Sequence, residues 1–343
     1  MSLKFKKLTA RCFVIIISIF VIAFSKEIAN GITIGLKLCF ESVIPSLYIF
    51  MIICLFITKS NIFSDSIIFK FLSSLLFGTK NETGIIYFLS LICGYPIGAK
   101  IINQMLVDNK ISKTDAEKIL YCSINPGPAF LINIIGQTIY ENKNIGIIIF
   151  IATIISVSIG ARIFKVNNIN LTYKKNNESY LNCLLSSVNS ANKSLVSICS
   201  WIMIAVAFSN IIKKFGTFSF LTYFIEITSG VFYAAENTSI YFLAFLIGFS
   251  GFSVHMQVMS CASDIKPNYF KILIYKVLQG LIIAGLVYLI LLLFPMDISV
   301  SNFYQLSNSQ NNSIISFVSL FVFTISSLIF INKKCRNISS HML

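Results

Sequence analysis

Long apolar runs separated by short polar stretches fill most of the 343-residue chain. An α-helix needs about 20 consecutive apolar residues to cross a membrane, so runs of this length predict membrane-spanning helices. The runs are approximately Ile34–Ile57, Thr83–Met105, Ala116–Tyr140, Ile145–Phe164, Leu195–Ile212, Ser239–Ser260, Phe270–Phe294 and Ile314–Ile331. Two shorter runs of mixed polarity, Ile62–Phe77 and Phe218–Ala235, predict interfacial or half-crossing helices.

The N-terminal stretch KFKKLTARCFVIIISIFVIAFS places basic residues before a further apolar run. Two interpretations fit this order. The stretch is either a signal peptide cleaved near the small residues Ala23 and Ser25, or a retained helix within residues 1–30 whose N-terminus stays in the cytoplasm. We favour the retained helix.

One long polar stretch, Asn167–Lys193, interrupts the apolar pattern near the middle of the chain. It is rich in Asn and Lys and too short to hold a soluble domain. It predicts a linker over residues 166–193 between a first half, residues 31–165, and a second half, residues 194–332, which ends in a C-terminal helix. Residues 333–343 are expected to form a tail.

Two of the apolar runs contain residues that interrupt helices. The stretch SLICGYPIGAKII, Ser90–Ile102, holds Gly94, Pro96 and Lys100 in its middle, and FLIGFSGFSVHMQ, Phe245–Gln257, is similarly broken. An interrupted helix frees backbone N–H and C=O groups that lipid cannot satisfy, so such backbone needs protein or a water-filled cavity around it. Each segment therefore predicts either a hairpin tip that exposes backbone to a ligand or a tightly packed kinked helix.

An internal repeat relates the two interrupted segments. Aligning Gly94 with Gly248 sets an offset of 154 residues (248 − 94), and the same offset aligns Asn125 with Gln279 inside the helix that follows. If both segments are re-entrant, each half contains three full crossings, and an odd number inverts the second half. Internal symmetry with interrupted segments is typical of secondary transporters, whose solute site lies between the repeats near the membrane midplane. The predicted fold is an all-α polytopic membrane protein with two inverted repeats and re-entrant or broken helices.

Basic residues in the loops test this topology. With the N-terminus inside, the re-entrant interpretation places the Lys165–Lys193 loop in the cytoplasm, where positively charged loops are favoured. The same topology sends the C-terminal KKCR motif, Lys333–Arg336, outside, which the same rule disfavours. The side of the C-terminus stays open.

Composition excludes several classes of protein. With 56% hydrophobic and 12% charged residues and a mean hydropathy of +0.82, the chain is outside the range of soluble domains. The net charge of +14 comes mainly from lysines in loops and at the ends of apolar runs, which indicates topology signals rather than nucleic-acid binding. Nine cysteines form no C-x-x-C pair, so we expect neither a metal site nor a disulfide framework.

Catalytic motifs are also missing from the sequence. There is no H-E-x-x-H, no G-x-S-x-G and no phosphate-binding loop, so we expect neither an enzyme nor an ATP-driven pump, and no cofactor. The expected partners are the lipid bilayer, a small polar solute and a coupling ion. The sequence leaves open whether the chain forms homo-oligomers.

The candidate solute contacts lie at the two interruptions and in the helices that follow them. They are Gly94, Tyr95, Pro96, Gly98, Lys100, Asn125, Gly127, Ser250, Gly251, Ser253, His255, Gln257 and Gln279. Each has a structural alternative. Lys100 either binds an anionic group or extends to the interface, and Asn125 either contacts solute or marks a proline kink. Gln279 is a ligand contact or an ordinary interhelical hydrogen bond. His255 relays protons or bonds a nearby carbonyl. Glu226, in the mixed run, is expected to be solvated at the interface.

Three motifs carry a family resemblance. GYPIGAK (Gly94–Lys100), NPGP (Asn125–Pro128) and GFSGFSVHMQV (Gly248–Val258) resemble the sporulation integral membrane protein YlbJ family, over roughly Glu41–Phe294. That family carries paired nucleoside-recognition, or Gate, domains, named for a likeness to concentrative nucleoside transporters. In those transporters, hairpin tips and unwound helix centres enclose the nucleoside.

The resemblance implies a polytopic membrane protein of spore-forming bacteria, needed for spore maturation and without an established substrate. The implied location is the cell membrane, in the mother cell or the forespore. We expect a secondary transporter or permease for a small polar solute whose halves resemble those of concentrative nucleoside transporters. The alternative is a membrane scaffold or assembly factor for the spore envelope, in which the interruptions serve only helix packing.

Overall fold

The computed structural model describes residues 3–60, 83–164, 179–216, 218–298 and 300, together with five positions between 61 and 82. Regular structure in these ranges is entirely helical. The α-helices are α1 Leu3–Ala23, α2 Ser25–Leu38, α3 Ile44–Ser60, α4 Thr83–Cys93, α5 Ile97–Val107, α6 Lys113–Cys122, α7 Lys143–Ile163, α8 Tyr180–Lys214, α9 Thr222–Ile225, α10 Ile227–Asn237, α11 Ile240–Phe249, α12 Gly251–Cys261 and α13 Tyr269–Leu293. Cys39–Val43 and Ala129–Ile139 are π-helical, and Ser219–Leu221 is a 3₁₀ turn. The predicted helix Ile314–Ile331, the tail and most of Ile62–Phe77 lie outside the described residues.

Four helical segments of the described chain are long and apolar enough to cross a membrane. They are Lys143–Ile163, Tyr180–Lys214, Ile240–Cys261 and Tyr269–Leu293. Each contains or closely matches a run that the hydrophobic pattern predicted. Helices α1 and α2 together are also long enough, but they bend by 81° at their junction. Large apolar side chains such as Leu281 and Leu292 on α13 are more than half exposed, as a lipid-facing surface requires. The protein is a multi-pass membrane protein, and the part of the chain that the structure describes is helical throughout its regular structure.

The longest helices form an antiparallel pair. Helix α2, the π-helical segment and α3 run as one continuous helical stretch, Ser25–Ser60, beside α8. Gly31 packs on Ala207, whose Cα would lie 2.5 Å from a β-carbon added to the glycine. At the other end, Lys59 donates hydrogen bonds to the hydroxyls of Ser186 and Ser190. Later residues of the first stretch thus contact earlier residues of α8, so the two run in opposite directions.

Helix α8 begins inside the segment that the sequence predicted to be a linker. Ser179 caps the helix by accepting a hydrogen bond from the backbone N–H of Asn182, which fixes its start. Small side chains on the following turns, such as Cys183, Ser187 and Ala191, are buried. The polar composition of residues 180–193 therefore reflects a packed polar helix rather than a loop.

The chain reverses direction at the first interruption, between α4 and α5. A β-carbon added to Gly98 would lie 2.8 Å from Cβ of Ser90, whereas residues eight apart in a continuous helix are separated by about 12 Å. At the turn, Gly94 has φ +72° and the Tyr95–Pro96 peptide is cis. Each of the two helices has eleven residues, about 16 Å, which is half of a bilayer core.

The second interruption does not reverse the chain, although the sequence offered a hairpin tip there as one alternative. Ser250 and Gly251 both have φ above +70°, and they separate α11 from α12. Later residues of α11 and α12 contact earlier residues of α13. The Tyr241 and Tyr288 rings are 5.4 Å apart, and Gly248 packs on Gly280. The His255 and Tyr269 rings are 6.0 Å apart. Helices α11 and α12 therefore run antiparallel to most of α13 as one broken crossing.

A second chain reversal lies earlier, within the mixed run Phe218–Ala235. Helix α9 leads into Glu226, after which α10 returns. The Tyr223 and Tyr233 rings stack at 5.2 Å, and Gly230 packs on the Tyr223 carbonyl. This run, predicted to be interfacial or half-crossing, is a short helical hairpin whose tip is Glu226.

The two reversals enter the helical body from opposite ends. Going outward from the first tip, Cys93 lies beside Cys54, towards the C-terminal end of α3. Going outward from the second tip, Tyr233 lies under the ammonium of Lys213, at the C-terminal end of α8. Because α3 and α8 are antiparallel, the two hairpins extend from their tips towards opposite ends of this helix pair. The tips therefore point towards each other.

Helices α6 and α13, which the repeat offset aligns, run in the same direction. Glu117 near the start of α6 accepts a hydrogen bond from the N–H of Asn268, just before α13. Further along both chains, Asn125 contacts Gln279. The broken crossing supplied by α11 and α12 adds one passage before α13, so α13 is not inverted relative to α6.

Two cysteines form a disulfide bond, contrary to the sequence-based expectation. Cys54 on α3 and Cys93 at the end of α4 are bonded, with Cα atoms 7.2 Å apart. They are 39 residues apart in the chain, and only the packing of α4 on α3 brings them together. Among the described free cysteines, Cys39, Cys122 and Cys199 are buried as small apolar side chains.

Candidate functional site

A cavity lies where the two tips approach each other. It holds about 540 Å³ of empty space, including its open mouth. Its lining comes from the first tip, the proline break after α6, the Glu226 tip, α12 and the antiparallel pair of long helices. The lining residues are Val43, Leu47, Gly94, Tyr95, Pro126, Gly127, Phe130, Ile134, Ile198, Ile202, Glu226, Ile227, Thr228, Val254 and Gln257.

The first tip docks on the NPGP break through backbone contacts. The N–H of Tyr95 donates to the carbonyl of Asn125 at 2.7 Å. A β-carbon on Gly94 would lie 2.6 Å from the nitrogen of Gly127, so the backbones approach as closely as glycine allows. The freed backbone of the tip is thus satisfied by protein, which is the condition for an interrupted helix inside a membrane.

The second tip carries a buried carboxylate. Glu226 is 1% exposed and accepts hydrogen bonds from the N–H groups of Thr228 at 2.9 Å and Ser229 at 2.7 Å, so it caps α10. The helix N-terminus favours a negative charge at this position. No basic side chain of the described chain forms an ion pair with it. The expectation that Glu226 is solvated at an interface is therefore wrong, because the α9–α10 hairpin carries it into the interior.

The two prolines of NPGP leave two carbonyl groups without helical partners. In a continuous helix, the N–H of residue 126 would bond the carbonyl of Cys122, and that of residue 128 the carbonyl of Ile124. Pro126 and Pro128 have no N–H to donate. Both carbonyls are buried, and each requires a side-chain donor in place of the backbone donor.

Side chains replace both missing donors. Asn125 donates through Nδ2 to the Cys122 carbonyl at 2.6 Å, and the Lys276 ammonium donates to the Ile124 carbonyl at 2.6 Å. The ammonium also donates to Oε1 of Gln279 at 2.6 Å, and Nε2 of Gln279 donates to Oδ1 of Asn125 at 2.7 Å. The three side chains therefore form one continuous hydrogen-bonded chain between α13 and the NPGP break.

Lys276 is a functional candidate that sequence reasoning missed. Its side chain is fully buried, in the third turn of α13. A signal was present in the stretch YFKILIYKVLQG, Tyr269–Gly280, where this lysine interrupts an apolar run. An ionisable residue within a membrane span is by default a functional candidate.

Helix α12 contributes one polar side chain to the cavity lining and carries a buried histidine outside it. Gln257 lines the cavity and donates to the hydroxyl of Ser253 at 3.1 Å. His255 is fully buried, and its Nε2 lies 2.8 Å from the carbonyl oxygen of Phe249, which the break at Ser250 leaves available. His255 thus makes the backbone contact that was one of its two predicted roles.

The predicted site residues separate into three groups. Gly94, Tyr95, Gly127 and Gln257 line the cavity. Asn125 and Gln279 form the adjoining network. The others do not line the cavity: Pro96, Gly98, Lys100, Ser250, Gly251, Ser253 and His255. Among these, Gly98 packs on Ser123, and Gly251 packs on the backbone of Ile227 at the second tip.

No group of three or more His, Cys, Asp or Glu side chains suited to a metal ion occurs in the described ranges. The cavity and its neighbouring network offer carbonyl, amide, hydroxyl and carboxylate oxygens instead. These groups suit hydrogen bonding to a small polar molecule or coordination of a monovalent cation.

The four long apolar helices identify this chain as a multi-pass integral membrane protein. The chain is similar to the sporulation integral membrane protein YlbJ of Bacillus subtilis (strain 168), with 22% identity over 340 residues and 81% of each chain covered. No family model and no solved structure matches the chain.

Proposed function

We propose that the chain is a secondary transporter or permease that moves a small polar solute across a membrane during spore formation. The observation that carries the proposal is that two chain reversals enter from opposite ends and meet at one cavity. A site enclosed by interrupted segments from both sides is the arrangement that alternating access uses. Similarity to a sporulation membrane protein supports the biological setting.

The chemistry of the cavity supports solute binding. Most of its lining is apolar, with a few polar groups from Tyr95, Glu226, Thr228 and Gln257. Small-molecule sites typically combine apolar walls with a few placed polar groups. The hydroxyl of Tyr95 is buried and has no hydrogen-bond partner among the described residues, so a solute can supply one without displacing a protein contact.

We also propose that the two halves derive from a duplication with the offset of 154 residues. The bond between Asn125 and Gln279 supports this proposal, because it joins two residues that the offset aligns. The antiparallel pairing of α8 with α2–α3 fits an inversion of these elements, whereas α6 and α13 run in the same direction. The tip and the unwound helix centre at the cavity also fit the Gate-domain resemblance, which makes nucleosides one solute class to test.

Flux measurements test the proposal. Purified protein is reconstituted into sealed liposomes, and uptake is measured for a panel of labelled small polar solutes that includes nucleosides. Tyr95→Phe removes only the buried hydroxyl, and Tyr288→Phe makes the same change on a half-exposed surface of α13. We expect Tyr95→Phe to lower uptake at least several-fold and Tyr288→Phe to leave it unchanged.

Thermal unfolding separates transport from a packing role. Since the Tyr95 hydroxyl bonds no described protein group, its removal should not lower the unfolding temperature. Equal uptake by both variants for every transported solute, or no uptake of any solute by the wild type, would contradict the proposal. The scaffold alternative predicts full spore maturation with Tyr95→Phe, whereas the transporter predicts a defect.

A further inference from the structure

Lys276 places an ammonium group inside the helical body without a carboxylate partner. Its side chain is fully buried, and no Asp or Glu of the described chain lies within ion-pair distance of Nζ. A charged side chain at such a depth is costly unless polar groups compensate it. Its compensation comes from two neutral oxygens, the Ile124 carbonyl and Oε1 of Gln279, each 2.6 Å from Nζ.

These oxygens have the chemistry of a monovalent-cation site. Unwound helix carbonyls are ligands that transporters use for sodium, and an amide side chain offers an oxygen of the same kind. The Ile124 carbonyl is available because Pro128 cannot donate to it. The Gln279 oxygen is oriented towards Nζ because its NH₂ is held by Asn125, which is in turn held by the Cys122 carbonyl.

We propose that the ε-ammonium of Lys276 is a tethered cation that occupies a monovalent-cation site formed by the Ile124 carbonyl and the Gln279 side chain. The ionisable groups around it are Cys122 on α6 and His255 on α12, with Tyr87 on α4 and Tyr275 on α13 beside Cys122. None of these side-chain types is ordinarily anionic at neutral pH. A positive charge on Lys276 is therefore compensated by the oriented dipoles of the Ile124 carbonyl and the Gln279 amide.

One consequence rests on the proposed transport function. If the cation site is already filled by Lys276, solute uptake does not require a bound sodium ion at this position.

Two variants test the tethered cation without any transport measurement. Lys276→Ala removes the ammonium and opens space for a free ion, whereas Lys276→Met removes the charge and fills most of the space. Unfolding temperatures are measured in sodium chloride and in choline chloride at equal ionic strength, since choline is too large for the site. We expect Lys276→Ala to gain about 3 °C or more in saturating sodium, because a ligand that binds only the folded state stabilises it. Wild type and Lys276→Met should respond equally little.

The readout distinguishes a cation site from a merely structural lysine. A Lys276→Ala protein with the same sodium response as the wild type would overturn the proposal. Recovery of folded Lys276→Ala only from sodium-containing buffer supports it, and failure of this variant in both salts while Lys276→Met folds overturns it. Because the assay uses no flux, its outcome is independent of the Tyr95 and Tyr288 experiment.

Discussion

The interrupted segments at Gly94 and Gly248 begin alike, each an apolar helix that reaches a glycine and then an aromatic residue. In the first, Pro96 follows and the chain turns back on itself. In the second, Ser250 follows and the chain continues as a broken crossing. The difference shows that related sequences at a break can lead to opposite topologies.

The partner helix accounts for the different environments of the two breaks. The first tip rests on a helix that two prolines interrupt, and its backbone bonds to the Asn125 carbonyl. The second break runs past α13, which stays helical through Gly280. The continuous helix α13 carries Lys276, which donates to the Ile124 carbonyl, and Gln279, which donates to the Asn125 side chain. Side chains from the second half thus satisfy polar groups at the proline break of the first half.

The largest expected effect is a loss of unfolding free energy at the first tip, compared with the same substitution at an ordinary glycine in a membrane helix. Gly94→Ala places a β-carbon against the Gly127 nitrogen in a backbone with φ +72°, and we expect a loss of about 3 kcal/mol or more. Gly285→Ala on α13 is the control, because nothing lies within 4 Å of its added carbon. Unfolding in detergent measures both, and equal stabilities would refute the close approach.

The next effect tests whether the two halves are coupled through their amides. Asn125→Leu and Gln279→Leu each leave a buried polar partner unsatisfied, at a cost of about 1–3 kcal/mol. The double variant should be less destabilised than the sum by about 1 kcal/mol. Asn237→Leu serves as the control, since the Asn237 side chain donates to a carbonyl of its own helix. A double variant that is additive within error would argue against the network.

A smaller effect of opposite sign distinguishes the second break. Ser250 has φ +74°, a conformation that costs a residue with a β-carbon about 1 kcal/mol, so Ser250→Gly should raise stability by about that amount. Gly251→Ala, at φ +73°, should lower it. The two variants make reciprocal changes at adjacent positions. Destabilisation of both would contradict this prediction and would show that the Ser250 side chain stabilises the break by more than its backbone conformation costs.

The smallest effect concerns the loop that joins α12 to α13. Asn103 donates to the Asp264 carboxylate at 2.7 Å, and this bond, with that from Ser263, holds the pKa of Asp264 below its ordinary value. A depressed pKa contributes stability that is present above the unfolded pKa of about 4 and is lost as the pH falls through the folded pKa. Unfolding temperatures from pH 6 to pH 3 should fall slightly more for wild type than for Asp264→Asn. Parallel curves would contradict this linkage.

Several features of the fold followed from sequence alone. A membrane span must be apolar over about 20 residues, so the hydrophobic pattern was sufficient to place the four long spans, including Ile145–Phe164 and Phe270–Phe294. Glycine and proline restrict backbone geometry locally, so the interruptions at Gly94 and Asn125 were visible without a structure. Most of the aliphatic residues that line the cavity could not be predicted, because aliphatic residues occur throughout every span and their type does not indicate which of them face a cavity.

Tertiary structure decided how these elements meet. Each break packs against a helix that is distant in the sequence, Gly94 on Gly127 and Gly248 on Gly280, and such long-range contacts have no local signal. The same reason hid the Cys54–Cys93 bond, the burial of Glu226 at a hairpin tip and the bond from Lys276 to the Ile124 carbonyl. Residue type and spacing determined which groups need partners, and the packing of the helices determined which partners they found.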